Sequence, residues 1–131
     1  MRRRAVTAFL MLGLPLVAAC GMLYPSESRT FVVFFTDLSA QLDGSAQETV
    51  THAAKSANDH PAATVYVSGY SAADTSLPTN FALSATRAHV VADALRKAGV
   101  DGSRIRPSGK GPVNYALDPV QARRVDISIA P

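Results

Sequence analysis

Apolar positions follow two rhythms along this chain of 131 residues. Phe31-Val32-Val33-Phe34-Phe35 is a continuous apolar run, rich in β-branched and aromatic side chains, and predicts a buried strand. Thr64 to Ser68 alternates, with Val65 and Val67 on one side and Tyr66 on the other. Arg123 to Ile129 alternates again, with Val125, Ile127 and Ile129 inward. Between these the period becomes helical. From a cap at Asp43 or Ser45 to about Asn58, the residues Ala46, Val50, Ala53, Ala54 and Ala57 share one slim face suited to close packing on a sheet. A second helix runs from Asn80 to Ala98, with Gly99 as its C-terminal cap and Val100 placed for the accompanying apolar contact. Ile105 marks a short third strand. Gly69 to Thr79 reads as a polar loop, Gly109-Lys110-Gly111 as a tight turn, and Asn114 to Ala122 as a surface loop. The order β-α-β-α-β-β predicts an α+β two-layer sandwich. Its mixed sheet, with parallel first strands and an antiparallel last one, is backed by two helices.

The second helix breaks the usual rule that an inward stripe is apolar along its whole length. Val91, Ala94, Leu95 and Ala98 lie on one face, with Ala88 at its edge. Followed backwards, that face carries Asn80, Ser84 and Arg87, with Leu83 to one side. Thr86, His89, Asp93 and Arg96 point to solvent. A guanidinium turned into the protein body costs several kcal/mol unless partnered, and its planar fork matches a carboxylate. Two readings follow. Arg87 is either a receptor for an anionic ligand or a structural tie to an internal acid such as Asp37 or Asp74.

The N-terminus changes the charge picture. Met1-Arg2-Arg3-Arg4, an apolar stretch from Ala5 to Ala18 and Val17-Ala18-Ala19-Cys20 have the layout of a secretory signal over residues 1–19. The segment is too short to span a membrane as a helix. Cys20, the single cysteine, is expected to carry acyl chains, as in a bacterial lipobox. Gly21 behind it points to the outer membrane. Residues 20–30 then form a tether of roughly 35 Å at full extension, and residues 31–131 form one domain. The whole chain has 13 Lys and Arg against 10 Asp and Glu. Losing Arg2, Arg3 and Arg4 with the signal leaves the mature protein near neutral, which removes any charge argument for nucleic acid.

Four blocks carry a family likeness. They are Val33-Phe34-Phe35, then Val67-Ser68-Gly69-Tyr70, then Asn80-x-x-Leu83-Ser84-x-x-Arg87-Ala88, and finally Gly109-x-Gly111 with Arg123-Arg124-Val125-x-Ile127. In order and spacing the chain resembles the OmpA-like domain shared by outer-membrane OmpA, peptidoglycan-associated lipoproteins and flagellar stator proteins. The resemblance implies non-covalent binding of peptidoglycan through the diaminopimelate of its stem peptide, a residue bearing a carboxylate and an ammonium. It puts Arg87 on the carboxylate, Asn80 and Ser71 on hydrogen bonds, and Arg124 beside the same cleft. The family aspartate of the loop falls on Ala72, so Asp74, or Asp37, is the expected stand-in for the ammonium. Tyr70, Thr75 and Ala122 depart from the family pattern as well.

The leading expectation is a lipid-anchored envelope protein (a palmitate-type anchor at Cys20) that links the outer membrane to the wall from the periplasm. The alternative is a degenerate domain serving protein interaction or assembly without wall binding. Catalysis is not expected. His52, His60 and His89 lack metal-ligand spacing, no Gly-x-Ser-x-Gly motif exists, and Gly109-x-Gly111 is too weak for a nucleotide loop. No cofactor or metal is implied.

Overall fold

The structure, a computed structural model, describes residues 27–113 and 118–131; the signal segment, Cys20 and most of the tether lie outside the described residues. Four strands, β1 (Arg29–Phe34), β2 (Thr64–Ala72), β3 (Ile105–Val113) and β4 (Arg124–Ala130), form one sheet in the order β1-β4-β2-β3. β2 and β3 are parallel, and β4 runs antiparallel to both β1 and β2. The first three strands therefore point the same way, as expected, with the last inserted between β1 and β2. Helices α1 (Gly44–Asp59) and α2 (Leu77–Lys97) pack on the sheet, giving the predicted two layers. A 3₁₀ turn precedes β3, and a short α3 (Pro119–Ala122) precedes β4.

Local signals set the helix ends. The Asp43 carboxylate accepts from the Ala46 N–H at 2.7 Å and caps α1. At the end of α2, Gly99 takes φ +97°. The Gly99 N–H reaches the Arg96 carbonyl and the Val100 N–H the Leu95 carbonyl, each at 3.0 Å, which closes the helix in a Schellman motif. Ala46, Val50, Ala53, Ala54 and Ala57 of α1 are all buried, against Val33, Val65, Val67, Val125, Ile127 and other members of one core.

Four expectations need correction. Val32 and Phe34 are 37% and 42% exposed, because the helices cover one face of the sheet only and these two residues lie on the other, as does Tyr66 of the interior strand β2. The inward face of α2 is rotated slightly, so that Ala88 and Ala92 are buried while Ala98 is exposed. β2 extends through Ser71 and Ala72 into the segment read as loop. Finally, Gly109-Lys110-Gly111 is not a turn but the middle of β3, where an extra residue bulges opposite Gly69 to Ser71 and Gly111 absorbs it at φ +80°. The tail of the expected surface loop is α3, capped by Asp118.

Candidate functional site

The polar half of the α2 stripe is buried as the periodicity demands: Asn80 is 3% exposed, and Ser84 and Arg87 are fully enclosed. Glycine in the sheet makes room for it. A Cβ added at Gly69 would lie 2.0 Å from the Ser84 carbonyl oxygen, and one at Gly109 would lie 2.6 Å from the Ala85 nitrogen. α2 thus rests directly on the backbone of β2 and β3. The Ser84 hydroxyl donates to the Phe81 carbonyl at 2.8 Å and accepts from the Gly111 N–H at 2.9 Å, fixing the bulge of β3 against the helix.

One helical turn further on, Arg87 reaches the end of the sheet. Its Nε donates to the Ser39 carbonyl (2.7 Å), Nη1 to the Tyr70 carbonyl (3.1 Å) and Nη2 to the Thr36 carbonyl (3.1 Å). The Phe35 ring lies 5.3 Å from the guanidinium carbon, within cation–π range. Among the described residues no carboxylate comes within 4.0 Å of Arg87, so the tie to Asp37 or Asp74 is not made. Three of five N–H donors are spent on neutral carbonyls and two remain. Burial pushes the pKa of Arg87 below the ordinary guanidinium value. The positive charge of Arg123 adds to that shift, while Asp37 and Asp74 oppose it. Charge without a counter-charge is the defining property of the site.

The other sequence-derived residues divide. Ser71 is fully buried and donates to the Asn80 carbonyl at 2.9 Å. The Asn80 amide donates to the Thr75 carbonyl at 3.0 Å, and its oxygen accepts from the Thr75 hydroxyl at 2.6 Å. These bonds stitch the β2–α2 loop shut. Thr75, where the family pattern has glycine, supplies both partners. Asp74 is exposed on that loop, and Ala72, at the family aspartate position, is buried and paired with Val113.

Arg124 is not where the sequence reading put it. Its strand partner Phe34 is exposed while the next residue, Val125, is buried, so Arg124 lies on the open face of the sheet. There it stacks 4.5 Å over the Tyr70 ring and bonds Asp126 Oδ1 at 3.0 Å and the Gln121 carbonyl at 2.6 Å. The arginine beside Arg87 is Arg123. Its carbonyl accepts from the Phe35 N–H at 2.8 Å, and its Nη1 stands 3.9 Å from Asp37 Oδ1. Its Nε is buried without a hydrogen-bond partner among the described residues. Sequence reasoning missed Arg123 because it sits in the cap of α3, a helix expected to be loop. The strand alternation held the signal: with Val125, Ile127 and Ile129 inward, the period of two puts Arg123 on the inward side and Arg124 on the outward one.

A two-layer domain with an uncompensated arginine at one end of its sheet is the class these features define. The chain belongs to the OmpA family, whose model matches residues 34–124. It is 38% identical over 105 residues to the probable lipoprotein YiaD of Escherichia coli, an alignment covering 76% of this chain and 48% of that protein, so the chain spans about half the length of this curated relative. Among solved structures, the peptidoglycan-associated lipoprotein of Burkholderia pseudomallei superposes with a TM-score of 0.70 at 22% identity, covering 76% of this chain and 89% of that one. The OmpA-like domain of FopA1 from Francisella tularensis gives 0.71 at 23%, covering 79% and 73%. The periplasmic domain of Helicobacter pylori MotB gives 0.63 at 21%, covering 75% and 69%. These structural likenesses establish the fold.

Proposed function

We propose that this chain is a lipid-anchored protein of the bacterial outer membrane that binds peptidoglycan non-covalently from the periplasm and fastens the membrane to the wall. The observation that carries the reading is Arg87: fully buried, charged, and with no carboxylate of its own within ion-pair distance among the described residues. A ligand carboxylate, here that of diaminopimelate, supplies the missing charge. It reaches the guanidinium by exchanging with the Thr36 and Ser39 carbonyls. Their loop is exposed at Thr36, Asp37 and Leu38, so the released carbonyls find water. Leu38 holds φ +50°, a strained conformation for a branched side chain, which makes opening of that loop less costly. The exchange replaces two neutral acceptors with an anionic one whose two oxygens match the guanidinium fork.

Asn80 and Ser71 serve the site by holding the β2–α2 loop in place. Arg124 supports Tyr70, whose carbonyl Arg87 holds. Asp74, exposed at the rim, is the partner of the ligand ammonium, and screening there keeps its contribution small. Cys20 bears the lipid, and the reading involves binding with no catalytic step or cofactor.

Sedimentation with purified sacculi tests this. Wild-type protein is expected in the pellet and to be released by soluble stem peptide, while Arg87→Lys, which keeps charge but loses the fork, stays in the supernatant with its fold retained. Pelleting of Arg87→Lys at the wild-type level would sink the assigned site.

The spent donors of Arg87 and the apolar Ala72 favour a second reading, an interaction or assembly module without wall binding. If wild type stays soluble and Ala72→Asp pellets, that second reading holds.

A further inference from the structure

Around Arg87 the structure gathers positive charge more efficiently than negative. Phe35, Thr36 and Asp37 are consecutive, and two arginines grip them. Arg87 lies at the Phe35 ring and takes the Thr36 carbonyl, while Arg123 accepts the Phe35 N–H through its own carbonyl and faces Asp37. Arg87 is enclosed, but the Arg123 side chain keeps 18% of its surface open, so an arriving ligand meets Arg123 first. The Arg123 contact with Asp37 is long, at 3.9 Å, and Asp37 is 64% exposed, which makes it a weak and replaceable partner. The Arg123 Nε is buried and finds no acceptor among the described residues.

The acids that could receive an ammonium are Asp37 and Asp74, the two carboxylates whose charge reaches Arg87. Both are exposed, and pairs of that kind change affinity by at most about fivefold. Ala72, two residues beyond the Tyr70 carbonyl that Arg87 holds, is buried and carries no carboxylate.

Resting on the wall-binding reading above, we infer that Arg123 is a second ligand-binding cation of this site, and that the two guanidinium groups recognise a carboxylate whatever the charge of the amine beside it. The site then accepts stem peptides whose diaminopimelate amine has been acylated, as cross-linking does, as readily as free ones. Acylation removes the ammonium and leaves the carboxylate.

Calorimetric titration of the full chain with two probes tests this: a stem tripeptide ending in meso-diaminopimelate, and the same peptide with that side-chain amine acetylated. The expected result is affinities within about threefold of each other. Arg123→Gln is expected to weaken both at least tenfold with little change in melting temperature, while Arg123→Lys retains most of the binding. Ala72→Asp should favour the free amine by about tenfold. Tight binding of the free peptide with loss of the acetylated one overturns the inference and leaves the wall-binding reading standing. Unchanged affinity in a folded Arg123→Gln removes Arg123 from the site. Failure of wild type to bind either peptide overturns both proposals.

Discussion

Two arginines sit near opposite ends of β2, and each holds three backbone carbonyl bonds. Arg87 binds the carbonyls of Ser39, Tyr70 and Thr36. Arg104 binds those of Ala63, Ala57 and His60, at 2.8 to 2.9 Å. By hydrogen-bond pattern alone they are the same device. Arg104 collects carbonyls at the C-terminus of α1 and just before β2, of which those of Ala57 and His60 also accept a backbone N–H, and it remains partly open to water. Arg87 is enclosed, lies over an aromatic ring, and has a second arginine beside it with a donor unpaired among the described residues. The comparison teaches that a three-carbonyl clasp is ordinary structural use of arginine. What supports the receptor role proposed for Arg87 is the charge around it, not the number of bonds it makes.

The largest effect that would sharpen this contrast is expected from Arg87→Met. Three carbonyls lose a charged donor in an enclosed site, at a cost of about 3 kcal/mol or more, or roughly 12–24 °C in Tm for a domain of this size. Wall binding is lost with it, and differential scanning calorimetry beside sacculus sedimentation measures both. Gly69→Ala should cost about 2–3 kcal/mol, because the added methyl collides with the Ser84 carbonyl and lifts α2 from the sheet. Hydrogen exchange is expected to rise in the β2–α2 loop and around Ser39 and to leave the Arg104 end protected. Arg104→Met should cost only about 1 kcal/mol, since its carbonyls can be hydrated, with sacculus binding unchanged. Loss of binding in Arg104→Met would break the contrast outright.

The smallest effect concerns acid. The Ser103 backbone and side chain hold the carboxyl of Asp101, which caps the turn carrying Arg104, below its usual value of 3.8; Arg104 contributes less. A depressed folded pKa gives stability above the unfolded value that disappears as pH falls through the folded one. Asp101→Asn should therefore melt slightly earlier than wild type at pH 6 and converge with it below pH 3. Curves that stay apart at low pH would show that the cap acts by something other than its charge.

Features with local causes were legible in the sequence. The Asp43 cap, the alanine face of α1, the Gly99 closure and the inward turn of Arg87 follow from side-chain chemistry and helical period, and all four are in the structure. What misled had causes elsewhere in the chain. Phe34 looked like core because nothing within Phe31–Phe35 reveals that helices cover one face of the sheet only. Gly109 and Gly111 looked like a turn. Gly109 is required by the backbone of α2 pressing on β3, and Gly111 packs against the Phe81 ring at the bulge. The choice between Arg123 and Arg124 was legible in the alternation of Val125, Ile127 and Ile129, and was obscured by matching the family arginine next to valine. The expected acid partner of Arg87 was a reasonable guess from charge, and carbonyls took its place.

The strand order also governs when this domain can form during synthesis. β1 emerges first from the ribosome, yet its only neighbour is β4, with Arg29 opposite Ile129. Nearly the whole sequence must exist before the first strand has anything to zip against, and such distant pairings are slow to close. Until then the Phe31–Phe35 stretch is an unmatched sticky ribbon.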